Sequence, residues 1–177
     1  MTWLDQATFT QRWSGLHRSL FAERQLASSP FRASDWSPGL LSGGLSLTPA
    51  DLVGLGKITA ASDTVIVLDP TWAFPERAAF EFSWAPETFE HLNVATWLGH
   101  LETHVFPSTG QWALVADPEG VGILGAPTNQ FAAFAGAVGG LNALKARYAS
   151  EESGIGFGDA GALYRRELRT LVAWEAA

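Results

Sequence analysis

The hydrophobic positions change their period several times along the chain, and each change marks a predicted element. Between residues 3 and 27, Phe9, Trp13, Leu16 and Leu20 recur at helical spacing. Gly15 weakens that helix by about 1 kcal/mol relative to alanine and offers a place for a kink. Ser28-Ser29-Pro30 ends it, because the residue before a proline is pushed out of the helical region. The longest helical pattern is PETFEHLNVATWLGHLETHVF at 86–106, with Val94, Trp97, Leu98, Leu101 and Val105 on its stripe. A shorter helix is predicted over 49–56, where Thr48 caps, Pro49 suits the first position and Asp51 complements the dipole. Others are expected from Pro127 to Val138, over 141–148 and over 160–174.

Further stretches read as strands. Thr64–Leu68 is a β-branched, apolar run closed by Asp69-Pro70 and reads as a buried strand. Ala78–Trp84 alternates, with Phe80, Phe82 and Trp84 on one face and Glu81 and Ser83 on the other. Trp112–Gly125 reads as a hairpin around Asp117-Pro118-Glu119-Gly120, where proline and glycine supply the turn. Two hairpins imply an antiparallel sheet of about four strands packed against helices on one face, an α+β fold with N- and C-terminal helices. Segment 28–62, punctuated by Pro30, Pro38, Gly39, Gly43 and Gly44, reads as irregular and loop-rich. The length of 177 residues suits a single globular domain, 1–177.

Composition supports a folded, cytoplasmic chain. Hydrophobic residues make up 47% and charged residues 16%, the reverse of a disordered composition. Eight Trp and eleven Phe supply ample core material, and some of those rings are available for a ligand or partner. The absence of cysteine excludes disulfides and thiolate chemistry and fits a reducing compartment. The N-terminus lacks a signal-peptide pattern, and no uncharged apolar run approaches the roughly 18 residues of a membrane span.

The net charge of −7 is uneven. Residues 40–125 hold ten acids against Lys57 and Arg77 alone. Such a middle repels nucleic-acid phosphates and favours a basic protein partner. Trp72 and Phe74 sit among polar and turn residues outside the periodic segments, and aromatic residues are enriched at binding hot spots. Together these nominate Trp72, Phe74, Asp69, Glu76, Glu81, Asp117 and Glu119 as partner-binding residues.

The sharpest chemical phrase is His100-Leu101-Glu102-Thr103-His104. Two histidines one helical turn apart can chelate zinc. On a helical wheel His100 and His104 share the polar face, while Glu102 points away from both, so it fits neither a third ligand nor the general base of H-E-x-x-H. Further ligands would have to come from elsewhere, with His17 and His91 the remaining histidines. Gly156–Gly161 matches G-x-G-x-x-G but lacks the preceding strand and following acid of a dinucleotide site. No diagnostic catalytic phrase occurs, and no cofactor is expected beyond zinc at the histidine pair.

The Trp112–Gly125 phrase followed by Phe131 loosely resembles the hairpin-to-helix ending of small bacterial α+β proteins, some of which are immunity proteins. The expectation is a small acidic cytosolic binding module, an immunity-type inhibitor or adaptor for a basic partner, rather than an enzyme. The alternatives are a metal-binding protein or metal-dependent enzyme and an aromatic-lined small-molecule binder. Neither nucleic acid nor membrane is an expected partner.

Overall fold

The computed structural model describes residues 1–22, 31–33, 35–42, 47–85, 102–116 and 121–154. In chain order the strands are β1 (Thr2–Leu4), β2 (Trp36–Ser42), β3 (Thr64–Leu68), β4 (Ala79–Ser83), β5 (Thr103–Pro107), β6 (Ala113–Ala116) and β7 (Val121–Pro127). The described helices are α1 (Gln6–Arg12), α2 (Ser14–Leu20), α3 (Pro49–Ile58), α4 (Thr128–Ala137) and α5 (Leu141–Gly154). The strands form one sheet in the order β1-β4-β3-β5-β6-β7-β2, and every pairing is antiparallel.

Among the described residues seven strands stand where the patterning implied about four. β3, β4, β6 and β7 are the strands of the two expected hairpins, and three more join them. β1 is only three residues long, too short to show a period. β2 lies inside the stretch read as irregular. Its Pro38 and Gly39 suit an edge strand, and β2 pairs only with β7. β5 replaces the end of the predicted 86–106 helix, the rest of which lies outside the described residues, as does the predicted helix over 160–174.

The sheet is also covered on both faces rather than one. Val65 and Val67 of β3 point into a core shared with Phe80, Phe82, Val105, Leu114 and Leu124 and closed by Leu55, Phe131, Phe134 and Leu144 of α3, α4 and α5. Ile66 and Leu68 point the other way, into a core with Phe106, Val115 and Ile123 that is covered by Phe9 and Leu20 of α1 and α2. A strand buried on both faces reads as a continuous apolar run, which is why β3 shows no alternation.

Local chemistry sets the helix boundaries. Asp5 caps α1 by accepting from the Thr8 N–H at 2.7 Å. Thr48 and Asp51 form a reciprocal capping box at the start of α3. The Asp51 carboxylate, fully buried, also accepts from Arg147 of α5, tying the two helices together. The expected first helix is broken at Trp13, two residues before Gly15, into α1 and α2. Gly54 lets α3 lie against α4, since a Cβ there would fall 2.7 Å from the Phe134 ring.

Candidate functional site

Two polar constructions lie at the α1–α2 side of the sheet. The first is the connection between β3 and β4. Asp69 follows the last residue of β3 and is 1% exposed. Its Oδ1 accepts from the Thr71 N–H at 2.8 Å and the Thr71 hydroxyl at 2.5 Å, and its Oδ2 accepts from the Ala73 N–H at 3.1 Å. The backbone N–H of Asp69 reaches across to the Ala78 carbonyl at 3.0 Å and closes the loop base. Within this cradle Trp72 adopts φ +56°, a left-handed conformation that a bulky side chain rarely takes. Its indole packs edge-on against Phe9 of α1, with centroids 5.5 Å apart. A 3-10 turn at Pro75–Arg77 completes the connection, and the Arg77 guanidinium lies over the Trp3 ring.

The nominated partner-binding residues divide on this geometry. Trp72, Phe74 and Glu76 share the loop, with Phe74 48% exposed, Glu76 exposed and Trp72 half-buried. Asp69 belongs to the same loop, but its carboxylate faces inward and serves the loop's own donors. Glu81 sits on β4 beneath α1, where it accepts from Arg12 at 2.8 Å and from the Trp13 indole N–H at 3.0 Å. Asp117 and Glu119 lie outside the described residues.

The second construction joins α2 to β5. His17 Nε2 and His104 Nδ1 are 2.8 Å apart, and His104 Nε2 lies 3.0 Å from Glu102 Oε1. Phe21 stacks over both rings, 4.2 Å from His104 at 10° and 4.8 Å from His17 at 29°. A carboxylate only accepts, so His104 donates through Nε2. In the neutral pair, His104 Nδ1 then accepts from His17 Nε2. Burial in this aromatic setting pushes the His17 pKa down to about 3, with the His104 and Arg18 charges acting in the same direction.

These contacts revise the histidine-pair expectation. His104 lies on a strand, not on the helix expected to carry it, and His100 lies outside the described residues. Extended backbone returns a side chain to the same side every second residue, and Glu102 therefore meets His104 instead of pointing away. Both nitrogens of His104 are engaged. Among the described residues no group of three His, Cys, Asp or Glu side chains is placed to hold a metal ion.

His17 was the missed participant. It stands 87 residues from His104, and no local spacing joins them. Its position between Trp13, Leu16 and Leu20 was the available signal: a histidine at the border of an apolar stripe faces the core and needs a polar partner there. A ring whose pKa is held down to about 3 is a poor general base at neutral pH, so His17 is not suited to that role.

No helix among the described residues is long and apolar enough to cross a membrane. No family model matches the chain, and neither a curated protein nor a solved structure shows a significant match.

Proposed function

We propose that the protein is a binding module that holds a basic protein partner through the β3–β4 loop, acting as an immunity-type inhibitor or adaptor in the cytoplasm. One observation carries this reading: Phe74 and Glu76 are exposed on a loop whose backbone is already fixed by the buried Asp69 carboxylate and by Trp72 at φ +56°. A loop ordered before binding avoids much of the conformational entropy that a mobile loop loses on docking. An exposed phenylalanine offers apolar contact, and the acid beside it, within a chain of net charge −7, favours a basic surface.

The test immobilises the wild-type chain beside the Phe74→Ala/Glu76→Lys double variant and compares the proteins each retains from a cell extract. Both substitutions are on exposed positions, so the fold is retained. A basic protein held by the wild type, released by salt and lost with the double variant supports the reading. Retention that is equal on both chains and indifferent to salt rejects it.

A further inference from the structure

The contact between α2 and β5 carries a second inference, independent of what the loop binds. We propose that His17 and His104 form a proton-sensitive latch, which holds the α1–α2 layer on the sheet and parts when the pair must carry two added protons. The geometry supplies the logic. In the neutral pair the His17 Nε2–H donates to His104 Nδ1, and His104 donates to Glu102. With one added proton the pair can still keep a single N–H between the rings, so the 2.8 Å bond survives. A second proton leaves N–H facing N–H across 2.8 Å, with no acceptor between them. The rings lie edge to edge, with centroids 5.1 Å apart and planes at 24°, so two cations would be held side by side.

Among the described residues the neighbourhood offers the second proton no compensation. The charged and titratable groups described around His17 are His104 on β5, Glu102 just before it and Arg18 on its own helix. α1 contributes the Phe9 ring at 6.0 Å, while its Arg12 is committed to Glu81 of β4. Phe21 and Phe106 complete the surroundings. Glu102 is already engaged with His104, so lifting the layer into water is the available relief. Phe9 links this movement to the loop, because the same ring packs against both His17 and Trp72.

Folded His17 has its pKa lowered from 6.5 to about 3. The released ring therefore binds a proton that the latched ring does not between those values. The latch is fully effective above pH 6.5 and weakens as pH falls toward 3. The open population of the layer should rise up to roughly 30-fold between pH 7 and pH 5.

Hydrogen exchange on the full chain tests this, with protection corrected for the intrinsic pH dependence of exchange. The expected result is a loss of protection over residues 9–20, and with it at Trp72 and Ala73, between pH 7 and pH 5, while β3 and β6 stay protected. His17→Phe keeps an aromatic ring in an aromatic setting and removes the second titrating site, so its α1–α2 protection should not fall over that range. Should that variant fail to fold, imidazole nitrogen shifts of the wild type decide the matter: His17 must stay neutral at pH 5 in the latched form. Unchanged protection in the wild type, the same pH dependence in His17→Phe, or a latched His17 titrating near 6.5 would each overturn the proposal.

Discussion

Replacing Asp69 with alanine should destabilise the protein by about 2–4 kcal/mol, and the magnitude follows from what the carboxylate holds. It accepts from two backbone N–H groups and one hydroxyl while 1% exposed. A hydrogen bond to a charged group contributes about 1.5–3 kcal/mol when its partner is left buried. Here Thr71 and Ala73 are exposed and can turn to water, so only part of that sum is lost. Two further effects act in opposite directions: the Trp72 backbone at φ +56° loses its template, and its indole loses its seat on Phe9. Strain at such a position is about 1–3 kcal/mol and persists only when the surroundings enforce it. In Asp69→Ala that strain is released as the loop relaxes, which offsets the loss; the aromatic contact is not recovered. Asp69→Asn should cost less, about 1–2 kcal/mol. Its carbonyl oxygen can still serve Thr71, but its amide meets the Ala73 N–H donor to donor. Urea unfolding measures both, with an expected midpoint shift of about 1–2 M for alanine at an unchanged slope. A loss below about 0.5 kcal/mol for Asp69→Ala would show that the loop is not held by this carboxylate. The preorganisation argued for partner binding would fall with it.

Three further outcomes are expected. Gly54→Ala gains about 1 kcal/mol of helix propensity but drives a Cβ to 2.7 Å from the Phe134 ring; overpacking of about 1–3 kcal/mol should win, lowering the thermal midpoint. Arg147→Met leaves the fully buried Asp51 carboxylate with Thr48 alone, and should cost about 2–3 kcal/mol by chemical denaturation. The Asp51→Asn background should shrink that loss by half or more in a double-mutant cycle. Global stability should decline from pH 7 to pH 4 as His17, with its folded pKa of about 3, comes to resist protonation that the unfolded chain accepts. The His17 contribution is ~3 kcal/mol at most at pH 4, reduced to about 2 by solvent screening of a half-buried ring. A pH-independent difference between wild type and His17→Phe would refute it.

How much of the fold was legible depended on whether each element's signal was local. α3 was readable because Thr48, Pro49 and Asp51 state a helix start in four residues. β3 and β4 were readable because Val65–Leu68 are uniformly apolar and Phe80 and Phe82 alternate with Glu81. β5 misled because Val105 continues a helical stripe that begins well before it. The pairing that overrides this pattern, Val67 with Val105 and His104 with Val115, reaches 38 residues back on one side and 11 forward on the other. Tertiary pairing of that kind is invisible to any window that spans one element. β2 failed for the opposite reason. Its Pro38 and Gly39 argue against a strand until an edge position is known.

The candidate site divides in the same way, and the division bears on function. Phe74 and Glu76 could be named from composition and context, because exposure at a turn is a local property. The roles of Asp69, Glu81 and His17 could not, because each is fixed by a partner distant in sequence or by burial. All three end up on, or beside, the face covered by α1 and α2. That layer rests on two seven-residue helices and interleaves Glu81 and His104 among its apolar contacts. The opposite core has three longer helices and a continuous set of large side chains. A layer with fewer apolar contacts opens at lower free energy than the core it covers. Phe9 spans the two constructions, meeting Trp72 on one side and His17 on the other. Through Phe9 the proposed latch is therefore linked directly to the loop proposed to hold a partner.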